Sequence, residues 1–285
     1  MHVLAPAKVN LYLRIVGRRP DGYHLLDSLV VPVSLYDEMT IEAGRGQPEI
    51  VITCDDPTVP ADETNLACKA AALLCKEANV QARVAIDLRK RIPAGAGLGG
   101  GSSDAATVLK SLNTLLALGL TEAHLCELGA RLGADVPFFI PCRPAWIEGA
   151  GEILMKVQAL PCRWLVIVVP PFGVSTPWAY RRFDELPPVE NPPVSVMRLV
   201  PGQWPPPELL INDLERAVLP EYPLIAEIKD CLLRLGAEGA LMSGSGSAVF
   251  GVFPNRAAAE QAVAVLGEKG KTFLVEPLAG PLASA

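Results

Sequence analysis

Apolar and polar residues alternate in several stretches of the first half of the chain, a pattern typical of half-buried β-strands. These stretches cover 9–15, 28–35, 38–42, 49–53 and 83–89. Because side chains on a strand repeat every two residues, Lys8 and Asn10 are expected to share one face of the first strand. For a lone lysine, a solvated strand face would be the better explanation.

Helical periodicity appears between and after these strands, and two short apolar runs predict further strands in the second half. The predicted helices cover 65–74, 105–116, 121–132, 224–235 and 257–266, and the later strands cover 164–169 and 271–275. A glycine-containing turn at 148–152 marks the predicted boundary between a domain at 1–152 and a domain at 153–285. Residues 187–207 hold eight prolines and predict an irregular surface loop.

A glycine-rich loop separates the strand at 83–89 from the helix at 105–116. It consists of Pro93, Ala94, Gly95, Ala96, Gly97, Leu98, Gly99, Gly100, Gly101, Ser102 and Ser103, followed by Asp104. Ser102, Ser103 or Asp104 is expected to cap the helix. Glycines let the backbone approach a bulky anion, and a helix N-terminus offers unpaired N–H groups, so this order predicts a phosphate-binding loop. The alternative is a tight turn without a ligand, for which one or two glycines would suffice.

Two familiar phosphate loops do not fit this segment. Gly95, Gly97 and Gly100 match G-x-G-x-x-G, but charged residues enter the loop and no acidic residue ends a second strand about twenty residues on. The sequence Gly270-Lys271-Thr272 has Val265 where a P-loop needs its first glycine. The loop therefore belongs to neither a dinucleotide fold nor a P-loop.

Composition and charge restrict the class of protein. The chain has 285 residues, half of them apolar, and a net charge of −6, which gives no electrostatic reason to expect nucleic-acid binding. Seven cysteines without a C-x-x-C pair are expected to be reduced thiols in a cytoplasmic protein. No secretory signal is apparent, and the longest apolar run, 164–172, is too short for a bilayer, which needs about 20 residues.

The loop resembles the second motif of the GHMP kinases, the superfamily of galactokinase, homoserine kinase and mevalonate kinase. Two further segments are similar to motifs of that superfamily in the same order. Gly133-Ala134-Asp135-Val136-Pro137 resembles the catalytic segment and places its carboxylate at Asp135, although a helix cap alone would also explain this residue. Residues 242–251 resemble the third motif, for which a plain β-turn is the alternative.

The N-terminal segments are similar to a narrower group, the branch whose substrate carries cytidine diphosphate. Two motifs show this similarity: P-A-K-V-N-L-x-L around Lys8 and the turn Asp21-Gly22-Tyr23-His24. In that branch an aromatic residue of the second domain faces the tyrosine of the turn across the cytosine. Tyr180 is the matching position, with Trp178 as a nearby alternative.

The resemblance implies an α+β fold of two domains. The first would be a nucleotide domain like ribosomal protein S5 domain 2, and the second a ferredoxin-like α/β sandwich. It implies ATP as phosphate donor with Mg²⁺, and phosphorylation of the 2-hydroxyl of 4-diphosphocytidyl-2-C-methylerythritol, in isoprenoid biosynthesis. A monomer or weak dimer without nucleic-acid or membrane partners is expected.

The resemblance also implies a role for each site residue. Lys8 and Asp135 would be catalytic, and residues 93–103 would bind ATP. Asn65 matches a position near the nucleotide, although a polar residue at a helix start is an equally good reading. The substrate would contact Asn10, Tyr23, His24 and Tyr180. Ser102 or Ser103 could ligate the metal, and the sequence does not choose between them.

Three alternative functions account for fewer of these sequence features. A homoserine or mevalonate-type kinase would share the three motifs, but the Asp-Gly-Tyr-His turn argues against it. A nucleotide-binding module without activity would share the glycine-rich loop, but the presence of both Lys8 and Asp135 argues against it. A serine hydrolase lacks support because no G-x-S-x-G occurs.

Overall fold

The computed structural model describes residues 1–158, 160–187 and 203–280. The strands in this part are β1 His2–Arg18, β2 His24–Arg45, β3 Glu49–Cys54, β4 Ala82–Arg89, β5 Ala145–Gly149, β6 Ile153–Lys156, β7 Trp164–Val169, β8 Ile211–Asn212, β9 Gly239–Met242, β10 Val249–Phe253 and β11 Lys271–Val275. The α-helices are α1 Leu66–Glu77, α2 Gly100–Leu115, α3 Glu122–Ala130, α4 Val136–Phe139, α5 Thr176–Asp184, α6 Glu215–Val218, α7 Pro223–Arg234 and α8 Arg256–Leu266.

The first sheet is built around the long strand β2. Its strand order is β3-β4-β2-β1-β8, and β5 and β6 extend it from the first half of β2. The sequence predicts two strands at 28–35 and 38–42, whereas the structure forms one. The register between β1 and β2 shifts between Pro6 and Ala7, so β2 carries extra residues there. A bulge lets a strand bend without ending, which explains why the alternation breaks although the strand continues.

The second sheet is antiparallel throughout, with the order β11-β7-β10-β9. Two segments beyond residue 152 still pair with the first sheet, because β6 pairs with β5 and β8 runs parallel to β1. The boundary between residues 152 and 153 stays a prediction. Mainly antiparallel sheets with helices on their outer faces confirm the predicted α+β class.

Three apolar clusters hold the layers together. One lies between the first sheet and α1–α4, one between the two sheets, and one between the second sheet and α5–α8. Ala7, Val9 and Leu11 belong to the cluster between the sheets. Since side chains alternate along β1, Lys8 and Asn10 point to its other face, toward the start of α2.

The glycine-rich loop connects β4 to α2, as predicted, but the expected helix cap is wrong. Helix α2 begins at Gly100, and its N-cap is Gly99 in the left-handed region at φ +73°. Ser103 and Asp104 are buried inside the first turns of the helix. A side chain at this N-cap position would collide with the Phe139 ring, so no hydroxyl or carboxylate takes it.

Several other predictions can be compared with the fold. The turn at 148–152 joins β5 to β6, and the segment 242–251 forms a β9–β10 hairpin loop. Most of the predicted proline-rich loop, residues 188–202, lies outside the described residues. Among the helices of residues 1–158, 160–187 and 203–280, none combines the length and the apolar composition that a membrane span requires.

Candidate active site

An open cleft of about 970 Å³ lies along the glycine-rich loop. Seventeen of the eighteen predicted site residues line it: Lys8, Asn10, Tyr23, His24, Asn65, Pro93, Ala94, Gly95, Ala96, Gly97, Leu98, Gly99, Gly100, Gly101, Ser102, Asp135 and Tyr180. The exception is Ser103, which is fully buried. Segments that are far apart in the chain therefore converge on one concave surface.

Glycine is required at two positions of this loop by close neighbours. A Cβ on Gly97, which has φ +75°, would lie 2.1 Å from the carbonyl oxygen of Ser243. A Cβ on Gly99 would lie 2.9 Å from the ring of Phe139. Both distances are far below normal contact, so any side chain would displace the loop.

The glycine-rich loop is bonded to the hairpin between β9 and β10. The Ser243 hydroxyl donates to the Gly97 carbonyl at 3.1 Å, and the Ala248 N–H donates to the Ala96 carbonyl at 3.1 Å. The two glycine-containing motifs therefore form one joint backbone surface.

Lys8 lies at the centre of the cleft and is almost fully buried. Its N–H donates to the Leu98 carbonyl at 2.9 Å, which ties β1 to the loop. Its ammonium donates to Asn10 Oδ1 at 2.6 Å, and Asn10 Nδ2 donates to the Ser28 hydroxyl at 3.0 Å. This chain of hydrogen bonds fixes the ammonium position. Asn10 therefore holds the Lys8 ammonium in position and also lines the cleft.

Asp135 approaches Lys8 from the segment before α4. Its Oδ2 lies 3.9 Å from Lys8 Nζ, and its side chain is half exposed. This distance is longer than a hydrogen bond, so the two groups are near without being joined. Although Asp135 is the N-cap residue of α4, its side chain makes no cap hydrogen bond. The carboxylate is therefore available to the cleft, and capping does not explain its presence.

Asn65 caps α1, as its position at a helix start predicts. Its Oδ1 accepts from the Ala67 N–H at 2.9 Å, and its Nδ2 donates to the Pro60 carbonyl at 2.6 Å. The same residue lines the cleft. Its structural role is thus established by its contacts, while contact with ATP stays a prediction.

The far end of the cleft is aromatic. Tyr23 follows a turn in which its N–H donates to Asp21 Oδ1 at 3.2 Å, and its side chain is 63% exposed. The His24 ring lies against the Tyr180 ring with centroids 4.7 Å apart and planes at 30°. Burial raises the pKa of the Tyr180 hydroxyl, and the negative charge of Asp135 adds to the shift.

Trp178, the alternative to Tyr180, lies outside the cleft. Its ring packs edge-on against Tyr222, 5.4 Å between centroids, in the cluster under the second sheet. Tyr180 is therefore the aromatic residue of α5 that faces the site.

Beneath the loop lies a charged cluster that the sequence reasoning missed. Lys90 Nζ donates to Asp37 Oδ2 and, at 2.8 Å, to Asp104 Oδ2, and all three side chains are buried. Asp37 also accepts the N–H groups of Arg91 and Ile92 at 2.6 and 2.9 Å. The cluster thus fixes the backbone that enters the loop.

The charges of this cluster do not balance, since one ammonium faces two carboxylates. Burial raises the pKa of Asp104 to about 7, and Lys90 acts against this shift. Burial alone would lower the pKa of Lys90, but Asp104 and Asp37 outweigh it and raise that pKa. One signal could have revealed the cluster: Asp37 occupies the same strand phase as the buried Leu35 and Met39, and a buried carboxylate needs a partner.

The sequence reasoning also missed Arg18 and Asp184, which line the aromatic end of the cleft. Asp184 Oδ1 lies 2.7 Å from His24 Nε2, and its Oδ2 lies 3.2 Å from Arg18 Nη1. Asp184 follows Tyr180 by four residues on α5, so the two side chains share a helix face. The four-residue spacing from Tyr180 could therefore have indicated that Asp184 faces the site.

Comparison with known proteins places this fold and site in a class. The family model described as GHMP kinases N terminal domain matches residues 65–142, and that described as GHMP kinases C terminal matches residues 202–272. The fold and the glycine-rich loop therefore define a GHMP kinase.

Relatives and solved structures narrow this class. The 4-diphosphocytidyl-2-C-methyl-D-erythritol kinase of Syntrophotalea carbinolica is 46% identical over 96% of this chain and 98% of its own. That of Gloeobacter violaceus is 42% identical over 95% and 92%. A crystal structure of 4-(cytidine 5'-diphospho)-2C-methyl-D-erythritol kinase, 38% identical, superposes with a TM-score of 0.80 over 97% of this chain and 99% of its own. The chain belongs to the family of the 4-diphosphocytidyl-2-C-methyl-D-erythritol kinases.

Proposed function

We propose that this protein transfers the γ-phosphate of ATP to the 2-hydroxyl of 4-diphosphocytidyl-2-C-methyl-D-erythritol, in the methylerythritol phosphate route to isoprenoid precursors. The observation that carries the assignment of roles is the approach of Lys8 Nζ and Asp135 Oδ2 to 3.9 Å at the glycine-rich loop. An ammonium and a carboxylate beside a phosphate-binding loop are the groups that phosphorylation of an alcohol needs.

Asp135 is the proposed base. An alcohol is a poor nucleophile while it keeps its proton, and a carboxylate in hydrogen-bond reach can accept that proton as the new P–O bond forms. The half-exposed Asp135 carboxylate makes no cap hydrogen bond, so it is free to contact the 2-hydroxyl.

Lys8 is the proposed electrostatic group. Its ammonium, held by Asn10, lies between the loop and Asp135. There it would offset the negative charge that develops on the transferred phosphoryl group. Because the position is fixed before substrate binds, little reorganisation accompanies transfer.

The glycine-rich loop and the N-terminus of α2 are the proposed site of the ATP phosphates. Gly95, Gly97 and Gly99 have positive φ angles and, having no side chains, expose their backbone to the cleft. Unpaired N–H groups in the first turn of α2 can donate to phosphate oxygens. Asn65, at the start of α1, is proposed to lie near the nucleotide.

The residues of the cleft also fit Mg²⁺ bound mainly through ATP phosphates. Among the described residues no group of three His, Cys, Asp or Glu side chains could hold a metal alone, and Mg²⁺ in kinases typically relies on phosphates and one or two protein ligands. Ser102 lines the cleft whereas Ser103 is buried, so Ser102 is the proposed ligand. When bound, Mg²⁺ supplies positive charge that neutralises the phosphates.

Tyr23, His24 and Tyr180 are the proposed cytosine site. Tyr180 offers a ring held in place by His24, and the exposed Tyr23 can close over a base. Stacking between a base and an aromatic side chain is worth about 1–3 kcal/mol. Asn10 is proposed to contact the sugar-alcohol part, since it lies beside Lys8.

An assay of ADP release with the cytidine diphosphate substrate tests the proposed function directly. Solved homoserine and mevalonate kinases share the fold at 18% and 14% identity, which carries no information on substrate. We expect ADP release with the cytidine-containing alcohol and none with homoserine or mevalonate. ADP release with either of the latter alone would replace the proposal by the corresponding kinase activity, and none with any substrate would favour a silent nucleotide-binding module.

Changing Tyr180 to alanine should raise the KM for the cytidine diphosphate substrate about 5- to 150-fold, the equivalent of one stacking contact. The KM for ATP should change little, because Tyr180 lies at the opposite end of the cleft from α2. Tyr180→Phe keeps the ring and is the control. An equal loss in the phenylalanine variant would show that the hydroxyl, and not stacking, is the important feature.

Changing Gly97 to alanine should separate the glycine-rich loop from the β9–β10 hairpin and weaken ATP binding by at least tenfold. The reason is the 2.1 Å approach of the added Cβ to the Ser243 carbonyl oxygen. Gly95→Ala is a matched control, because Gly95 also has a positive φ but no atom within 4 Å of its Cβ position. Equal ATP affinity in the two variants, measured by titration calorimetry, would show that only backbone strain is involved.

The thiols favour a cytoplasmic location. All seven cysteines are free in the structure, as predicted, and an oxidising compartment would favour disulfides. We propose a cytoplasmic enzyme that acts as a monomer or weak dimer on ATP and its small-molecule substrate.

A further inference from the structure

Asp184 occupies a position that helix stability does not explain. It is the last residue of α5, where a negative charge faces the negative end of the helix dipole. Its two oxygens instead contact groups of the cleft, His24 Nε2 at 2.7 Å and Arg18 Nη1 at 3.2 Å. The residue therefore serves the cleft.

The contact with Asp184 determines which ring nitrogen of His24 carries hydrogen. An ionised carboxylate only accepts hydrogen bonds, so His24 Nε2 must be the donor. In a neutral imidazole the other nitrogen, Nδ1, is then an acceptor. Tyr180 covers one face of the ring, with centroids 4.7 Å apart, so the orientation of the ring is fixed as well.

An acceptor at this position distinguishes the pyrimidine bases. Cytosine carries an amino group at C4, which donates, whereas uracil carries a carbonyl oxygen there, which accepts. Nδ1 can accept a hydrogen bond from the cytosine amino group. With uracil, two acceptors would face each other and no hydrogen bond would form. A histidine free to change its tautomer would bind both.

We propose that Asp184 is a positioning residue that holds His24 in the Nε2–H tautomer, so that Nδ1 accepts from the cytosine amino group and the site selects cytidine over uridine. This inference rests on the proposed function, because it assigns the aromatic end of the cleft to the base.

The test compares the binding of CMP and UMP by calorimetry in the wild type and in two variants. The wild type should prefer CMP. Asp184→Ala should weaken CMP binding by up to about tenfold, the net contribution of one hydrogen bond, and bring the CMP and UMP dissociation constants close to each other. The KM for ATP should stay unchanged.

The conservative variant Asp184→Asn isolates the acceptor-only character of the carboxylate. An asparagine can turn its amide and donate to Nε2, which allows the other tautomer. CMP affinity should fall less than in the alanine variant, yet the preference over UMP should shrink. This variant also decides the matter if the alanine variant does not fold.

Glu185→Ala is the matched control. Glu185 is the next residue and pairs with Arg182 at 2.9 Å on the exposed side, so its loss should leave the base preference unchanged. A full CMP preference in folded Asp184→Ala or Asp184→Asn protein would overturn the inference. Failure of the proposed function is a separate result, because it appears as absent ADP release in the wild type.

Discussion

An Asp135→Asn variant should lose turnover by about 10²- to 10⁴-fold, the contribution typical of a positioned general base, while its ATP affinity stays near that of the wild type. The amide has nearly the shape of the carboxylate, so the cleft is preserved, but it cannot accept the hydroxyl proton. The KM for the alcohol should change little, because the lost interaction forms mainly as the proton moves. Steady-state kinetics and an ATP binding isotherm provide the two measurements.

A matched control for this variant is Asp87→Asn. The Asp87 side chain on β4 is 52% exposed, against 49% for Asp135, but Asp87 is not among the residues that line the cleft. The Asp87→Asn variant should keep full activity.

Lys8→Ala should lose turnover as well, with ATP binding retained. Loss of ATP binding in both the Lys8 and Asp135 variants would mean that these residues maintain the fold and take no part in transfer.

The convergence of Lys8 and Asp135 was expected only from the family resemblance, because the two residues lie in distant segments and no local pattern brings them together. Strand alternation placed Lys8 and Asn10 on one face, and resemblance to a catalytic segment selected Asp135. The loop between β4 and α2 was equally clear, since a strand, several glycines and a helix follow each other within some thirty residues. The shared face of Lys8 and Asn10 and the order of strand, loop and helix are local features, and local patterns are what a single sequence records.

Contacts between distant segments that no family motif marks escaped prediction. The helix cap of α2 was assigned to a polar residue by propensity, but crowding by Phe139 and Lys8 selects Gly99. Asp37 and Lys90 are 53 residues apart, and Asp184 and His24 are 160 residues apart. Such pairs leave only indirect traces, namely a carboxylate in a buried strand phase or at the wrong end of a helix.

Changing Lys90 to methionine should lower the free energy of unfolding by about 3–5 kcal/mol, the cost of leaving a buried charge without its partner. Asp37 and Asp104 would then face each other, 0% and 3% exposed, with no cation between them. Urea unfolding at pH 7.5 measures the change. Lys69→Met, an exposed position on α1, is the control and should be nearly neutral.

A second substitution identifies which carboxyl causes the loss. Asp37 keeps two backbone N–H donors without Lys90, whereas Asp104 Oδ1 has no hydrogen-bond partner among the described residues. Adding Asp104→Asn to Lys90→Met should therefore recover more stability than adding Asp37→Asn. The reverse order would show that the network at the loop entrance, and not the unbalanced charge, determines stability.

The pH dependence of stability follows from the same cluster. The pKa of Asp104 is raised to about 7 in the folded protein, above its usual 3.8, so the folded state binds more protons than the unfolded state between these values. Stability from this group should be fully present below about pH 4 and should decline as the pH rises toward 7. Without Lys90 the raised pKa should move higher, and the decline should extend above pH 7. An Asp104→Asn variant should lose this slope, because the amide does not titrate.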